Sequence, residues 1–126
     1  MVRKAKDNRK KLITQADKLW SSFIRNRDGK CVYCGSEFRL NAHHIFTKGR
    51  HGNLRWNMDN GVALCAKCHT FGAHINPAPY MLKIIEYVGQ ETIEKLRVQA
   101  QAKPVPLRID DLRGVIERLE IHILSH

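Results

Sequence analysis

Two Cys-x-x-Cys pairs are the first residues of this chain whose type and spacing point to metal chemistry. Cys31 and Cys34 form one pair, and Cys65 and Cys68 form another, 30 residues further on. Two-residue spacing lets a tight turn present two sulfurs to one ion, and four thiolates complete a tetrahedral site. The spacing predicts a structural zinc without an open coordination position. A rubredoxin-like iron site and plain buried thiols are the alternatives.

Histidines between and directly after the cysteine pairs suggest a second, chemically active ion. His43 and His44 lie between the cysteine pairs, His69 directly follows Cys68, and His74 comes five residues later. Neutral imidazole binds divalent ions and is a competent base near pH 7. Adjacent strand residues point to opposite faces, so His43 and His44 can serve one site only at a strand end or a bend.

The positive charge of the chain is concentrated in its first quarter. Residues 1–30 carry ten basic and three acidic side chains, whereas residues 76–126 carry seven of each. With a formal net charge of +10 overall, this distribution predicts a polyanion partner, because the Coulomb attraction to phosphates dominates non-specific nucleic-acid binding. A merely soluble basic protein is the alternative.

The chain shows no segment that would place it in or across a membrane. No stretch approaches 18 apolar residues, and the basic start MVRKAKDNRKKL is not followed by the apolar segment of a secretory signal. We therefore expect a cytoplasmic protein of a bacterium or a phage-infected host. In that reducing compartment, paired cysteines favour a metal over disulfides.

Hydrophobic spacing predicts the elements that must position these residues. Residues 1–11 are expected to be a loose basic arm, and apolar residues at three- and four-residue spacing predict a helix from Leu12 that Asp28-Gly29 ends. Alternation from Phe38 predicts a strand ending at His43-His44, and residues 62–64 suggest a second. A helix starting near Cys65 would carry Cys68, His69 and Phe71.

The remainder of the chain is expected to be helical. Pro79 suits a first helical turn, Ile93, Leu96 and Val98 indicate a second helix, and Asp110 is a candidate cap for a last one. The predicted organisation is a basic arm at 1–11, a core at 12–76 and a helical extension at 77–126. The fold class is α+β. The apolar last helix packs on the core or forms a homodimer.

In the segments AHHI (42–45) and NGVALCAKCH (60–69), with the embedded cysteine pairs, the chain resembles the HNH (ββα-metal) nucleases. The resemblance covers roughly residues 18–75 and implies a small hairpin-plus-helix core stapled by the zinc. It also implies a metal-dependent DNA endonuclease that hydrolyses phosphodiester bonds. The partner would be double-stranded or branched DNA, and the cofactors would be zinc and one catalytic divalent ion, which is Mg²⁺, Mn²⁺, Ni²⁺ or Zn²⁺.

The HNH resemblance also implies roles for individual residues. His43 and His69 would bind the catalytic ion, His44 would deprotonate the attacking water, and Asn60 would brace the loop and orient that base. His74 is a candidate third ligand, although the same face of an α-helix recurs after four residues and His74 lies five after His69. Gly72 between them would permit a distortion.

The loop between the two histidine segments supplies candidate contacts to nucleic acid. Lys48, Arg50 and Arg55 are candidate phosphate-binding residues, since cationic side chains match phosphate oxygens. A solvated loop is the alternative. Trp56 is expected to pack under the loop rather than stack on an unpaired base.

A narrower resemblance extends over most of the chain. The segments ITQADKLWSSFIRNRDGKCVYCG and NLRWNMDN and the helical tail after INPAPY are similar to the lambdoid NinG/Rap recombination nucleases, which act on branched DNA. The chain departs from that pattern at His43-His44 and Cys68-His69, where that branch tends to carry one His and a Cys-Asn. The departure favours plain HNH nicking or cleavage over branched-DNA specificity.

Two other classes compete with a nuclease. A non-catalytic zinc-stapled DNA-binding module would use the cysteines and the basic front half, but would have no need of His43, His44 and His69. A zinc-ribbon-like protein-interaction domain would need neither the histidines nor the charge.

Overall fold

The computed structural model describes residues 2–125, without the side chains of Val2 and Ala5; Met1 and His126, at the ends of the predicted arm and extension, lie outside the described residues. Within residues 2–125, four α-helices and a two-stranded antiparallel sheet form an α+β fold, as predicted. In chain order the elements are α1 (Val2–Asp28), β1 (Leu40–His44), β2 (Gly61–Cys65), α2 (Pro77–Val88), α3 (Gln90–Ala100) and α4 (Ile109–Ser125), with a 3₁₀ turn at Gly52–Leu54 and a π-helix at Cys68–Ala73.

Helix α1 is longer than the sequence pattern suggests. It begins at Val2, so the expected loose arm is helical, which corrects the predicted start at Leu12. Residues 2–11 contain neither Gly nor Pro and are rich in Lys and Arg, which are good helix formers. The helix ends as expected: Gly29 has φ +69°, and its N–H donates to the Arg25 carbonyl at 2.9 Å.

The hairpin pairs Leu40 with Cys65 and His44 with Gly61. Strand β1 starts at Leu40 rather than near Phe38, whose side chain is 81% exposed. Every residue of β2 is buried, because α1 packs against this strand and the side chains of Val62 and Leu64 pack in a cluster with residues of α2 and α3. A β-carbon on Gly61 would lie 2.5 Å from Cζ2 of Trp20, so only glycine lets α1 approach the end of the hairpin so closely.

The C-terminal helices match the prediction in number and order. Helix α2 starts at Pro77, where the missing proline N–H costs nothing in a first turn. Asp111, not Asp110, accepts a hydrogen bond from the Arg108 N–H at 2.8 Å at the start of α4. Helix α3 contains Ile93, Leu96 and Val98 as predicted, with Leu96 buried and Val98 60% exposed.

Two hydrophobic clusters divide the interior. One surrounds the sheet, α2 and α3, and the other joins α1 to α4 through Ala16, Trp20 and Phe23 on one side and Val115 and Leu119 on the other. Val62 and Leu64 of β2 belong to the first cluster, and Ala42 of β1 packs against the second, so the hairpin lies between the two clusters. Within residues 2–125, no helix combines the length and the apolar character needed to cross a membrane.

A buried carboxylate joins α1 to the sheet and to α2. The side chain of Asp28 is 1% exposed and accepts hydrogen bonds from the Ala63 N–H at 2.8 Å and from the Tyr87 hydroxyl at 2.9 Å. Arg27 neutralises it at 2.8 Å and also donates to the carbonyl of Gly61 at 2.7 Å. The end of α1 is thereby held to the strand that precedes the second cysteine pair.

Candidate metal centres

The four cysteines converge at one end of the hairpin, as their spacing predicts. The sulfurs of Cys31, Cys34, Cys65 and Cys68 all lie within 4.8 Å of one another, and the sulfurs of Cys34 and Cys65 are 3.6 Å apart. All four are free thiols. The first pair follows α1 and the second closes β2, so one ion bound here staples two segments that are distant in sequence.

The turn at each pair is built to present sulfur to a metal. The N–H of Cys34 points at the sulfur of Cys31, and that of Cys68 at the sulfur of Cys65, each at 3.5 Å. Gly35, with φ +81°, completes the first turn by donating to the Cys31 carbonyl at 2.9 Å. Burial raises the pKa of Cys31, but hydrogen bonds from neighbouring backbone N–H groups outweigh it and bring this pKa to about 7. Four thiolates in this arrangement fit a structural zinc.

Three histidines form a second cluster that could hold a metal ion. One ring nitrogen each from His43, His69 and His74 lies within 4.8 Å of the others. The ring centroids of His69 and His74 are 4.4 Å apart, and that of His43 is 5.4 Å from His69 and 6.0 Å from His74. The predicted His43–His69 pair is therefore brought together, and His74 joins it.

A π-helical turn explains how His74 reaches the site. Residues Cys68–Ala73 form a π-helix, whose i to i+5 hydrogen bonding brings residues five apart onto one face. His69 and His74 have that separation, which an ordinary α-helix would splay. The helix predicted from Cys65 is thus present but differently wound, and Phe71 on it is 71% exposed.

The π-helix is closely packed against α2. A β-carbon on Gly72 would overlap the phenol of Tyr80 from α2, so glycine is required in the π-helix. Tyr80 stacks on Tyr33 at 4.1 Å between centroids, and its hydroxyl also interacts with the Cys68 thiol. One tyrosine therefore contacts both the cysteine cluster and the segment that carries the histidines.

The pKa values of His43 and His69 favour neutral imidazoles in the histidine cluster. Burial, and then the proximity of His69 and His74, lower the pKa of His43 to about 4. Burial and His74 also lower the pKa of His69. Neutral imidazole is the metal-binding form, so at neutral pH no proton has to leave His43 before it coordinates an ion.

His44 faces the same cavity as the three clustered histidines without joining them. Its Nε2 donates to the Arg55 carbonyl at 2.9 Å, and its ring stacks on Trp20 with centroids 3.9 Å apart. Because a carbonyl only accepts, Nε2 carries the hydrogen, and Nδ1 of the neutral ring is the nitrogen with a lone pair. The pKa of His44 is lowered overall, because burial outweighs the opposing effect of the hydrogen bond to the Arg55 carbonyl.

The position of His43 and His44 meets the geometric requirement set by the sequence. Strand β1 ends at His44, and both side chains line one cavity of about 570 Å³ between α1, the π-helix and α2. His69, His74 and Lys48 also line this cavity. The end of the strand thus allows neighbouring residues to serve one site.

Asn60 is fully buried and braces the loop between the strands. Its side-chain carbonyl accepts from the Phe46 N–H at 2.8 Å, and its amide group donates to the carbonyls of Phe46 and Leu54, both at 3.0 Å. It does not line the histidine cavity. Its geometry is that of a positioning residue, which fits the bracing part of the predicted role.

The three candidate phosphate-binding residues have different surroundings. Lys48 is exposed at the cavity, and Arg50 is exposed on the loop. Arg55 is instead held by Asp17 through two hydrogen bonds of 2.9 and 2.6 Å. The indole N–H of Trp56 also donates to Asp17, at 2.9 Å, so Trp56 packs beside the loop as expected.

The sequence interpretation missed Asp17 and Trp20 as residues of the site. Asp17 holds the arginine whose carbonyl receives the His44 hydrogen bond, and Trp20 supports the other side of that imidazole. Both lie on an amphipathic helix, where an aspartate resembles a solvated residue and a tryptophan a core residue. The segment DKLW carries no spacing signal that would single them out.

Comparison with known families places the chain. The sequence matches the family described as bacteriophage Lambda NinG protein over residues 1–124. The chain belongs to the NinG family. No curated protein and no solved structure matches it. The narrower of the two likenesses found in the sequence is thereby confirmed at the family level, and the family match spans the basic helix, both clusters and the C-terminal helices.

Proposed function

We propose that this NinG family member is a metal-dependent DNA endonuclease of the HNH type. One observation carries the proposal: three histidines converge on a single point beside a fourth, His44, in a cavity separate from the cysteine cluster. A protein that uses metal only for stability has no need of a second cluster open to a cavity. The positive charge of residues 1–30 suits a DNA partner.

In the proposed mechanism the protein side chains divide three tasks. His43, His69 and His74 would hold a divalent ion, which would supply Lewis-acid stabilisation to the scissile phosphate and the leaving oxygen. His44 takes the proton of the attacking water on Nδ1 while the Arg55 carbonyl keeps Nε2 protonated. Asn60 holds the loop, and Lys48, at the edge of the cavity, attracts the phosphate backbone.

A non-catalytic zinc-stapled DNA-binding module is the second candidate. The exposed cations of α1 favour it, because they can attract phosphates without any contribution from the histidine cavity. The cysteine cluster and the basic helix would suffice for this role. The two candidates differ in whether His44 matters, because DNA binding alone does not require a base.

Cleavage of supercoiled plasmid and of a four-way junction tests the proposal. Both substrates are incubated with Mg²⁺, Mn²⁺, Ni²⁺ or no added divalent ion, with wild-type protein, His44→Ala and His51→Ala. His51→Ala is the matched control, since that histidine lies on the loop that follows β1 but does not line the cavity. We expect ion-dependent cleavage by wild type and His51→Ala, and a rate lower by roughly 10²–10⁴ for His44→Ala.

Each result separates the two candidates. Cleavage of only the four-way junction would assign branched DNA as the substrate and would leave the catalytic roles intact. Wild-type rates for His44→Ala would refute the assignment of the base. Absence of cleavage on both substrates with every ion, together with salt-sensitive DNA binding, would support the binding module.

A further inference from the structure

We propose that Arg3, Lys6 and Lys10 form a phosphate-binding stripe on α1 that extends the DNA site away from the histidine cavity. The inference rests on the DNA partner of the proposed function, but not on catalysis. It assigns a nucleic-acid contact to the part of the chain that the sequence pattern suggested was a loose arm. It also assigns phosphate contacts to cations other than Arg55, because the guanidinium of Arg55 is held by Asp17.

The three cations lie on the helical face that reaches the cavity. Lys10, Lys6 and Arg3 precede Asp17 by seven, eleven and fourteen residues, close to two, three and four turns of about 3.6 residues. They therefore point within roughly 40° of the direction of Asp17. Asp17 itself lines the histidine cavity, and so does Ser21, one turn further on.

The length of the stripe suits a duplex that leaves the cavity. Fourteen residues of helix span about 21 Å, which corresponds to about six base pairs at 3.4 Å each. A strand whose phosphate sits in the cavity can thus run along this face, with Lys48 at the cavity and Lys10, Lys6 and Arg3 further out. The stripe and the cavity would form one continuous binding surface.

The three side chains are available for a ligand. All are exposed, and among the described residues none of them is in a salt bridge. Other cations of the chain are engaged: Arg9, on a different face of α1, donates to the Leu107 carbonyl, and Arg97 pairs with Glu94. Asp7 is the single acidic residue in the sequence from 2 to 11.

The helix supplies its own matched control. Lys4 and Lys11 are exposed and lie roughly 120–140° around the helix from Asp17, on the side away from the cavity. The variants Lys6→Gln/Lys10→Gln and Lys4→Gln/Lys11→Gln remove the same charge from the same helix. Lys and Gln have similar helix propensity, so circular dichroism should show the same helix content in both.

The experiment measures affinity for a duplex of about 25 base pairs by fluorescence anisotropy over a salt series, without added divalent ion. Each lost phosphate contact lowers the slope of log affinity against log salt by about 0.9. For the stripe pair we expect a slope smaller by about 1.8 and an affinity roughly tenfold lower at 0.1 M salt. The control pair should retain a slope close to that of wild type.

The outcomes distinguish this inference from the proposed function. Equal losses in the two pairs would mean diffuse attraction and would overturn the stripe, as would no loss in either. If wild type binds DNA with the expected difference between pairs but cleaves nothing, the stripe stands and the nuclease fails. If wild type cleaves DNA but the pairs bind alike, only the stripe fails. Wild type that does not bind duplex DNA at any salt concentration overturns the stripe, and it overturns the nuclease as well if neither the plasmid nor the four-way junction is cleaved.

Discussion

The cysteine cluster and the histidine cluster are built in opposite ways. Three of the four cysteines are buried, and backbone turns with N–H groups aimed at sulfur shape their site. The histidines come from the end of β1 and from a π-helix, line an open cavity, and include the exposed His74. The first arrangement serves a metal that supports the fold, and the second leaves room for a ligand.

Loss of a cysteine should have the largest effect, and it tests the structural half of this contrast. Cys65→Ser removes a thiolate that joins β2 to the turn after α1. Structural zinc contributes on the order of 10 kcal/mol in small zinc domains, which is comparable to the whole stability of a domain. We expect loss of bound zinc, measured by mass spectrometry, and loss of a cooperative thermal transition.

His69→Ala is the matched comparison for that variant. It removes a ligand of the other cluster from a half-buried position, so the zinc content and the melting temperature should stay near those of wild type. A chelator should reproduce the difference between the sites, with unfolding only when zinc is stripped. A stable, zinc-free Cys65→Ser protein would show that the cysteines do not hold the fold together.

Exchange of Ala73 and His74 tests the π-helical spacing. The double variant Ala73→His/His74→Ala moves the second histidine to the four-residue step of an α-helix. Ala73 is buried, so the π-turn should direct the new imidazole into the core rather than the cavity. We expect Mn²⁺ affinity, measured by calorimetry, to fall by tenfold or more, on the order of 1.4 kcal/mol, as with His74→Ala alone. Wild-type affinity would show that the segment adopts an α-helix when it binds the ion.

The two clusters also differ in how far the sequence could predict them. The spacing of the cysteines was sufficient, because two residues between ligands define a local turn. The site histidines could be predicted from the sequence, but the prediction for His74 needed the π-helix, which depends on the packing of Gly72 against Tyr80.

The sequence pattern predicts a shorter helix α1 than the structure has, because the first turns of this helix have no apolar stripe. Asp17 was missed because its importance depends on tertiary contact with Arg55 and Trp56.

Gly72→Ala tests whether Tyr80 couples the clusters. The added methyl group would overlap the phenol ring, which is itself stacked on Tyr33, so the π-helix or α2 has to move. We expect a destabilisation of about 1–3 kcal/mol in urea unfolding and weaker Mn²⁺ binding, with zinc retained. Gly72→Ala/Tyr80→Ala should recover Mn²⁺ binding. Failure of that second change to help would mean that the glycine is needed for backbone conformation and not for space.

Asp17→Asn should have only a small effect on stability, and it separates positioning from folding at the histidine cavity. The Asp17–Arg55 pair is partly exposed, so its loss should cost only about 1 kcal/mol. Arg55 also provides the carbonyl that fixes the His44 tautomer, and weakening its anchor should lower the cleavage rate roughly tenfold without changing DNA or Mn²⁺ affinity. Asp17→Glu, which keeps the carboxylate, should recover part of the rate. A loss confined to DNA affinity would instead identify the pair as part of the binding surface, and the contrast between a rigid thiolate site and a positioned imidazole would no longer hold.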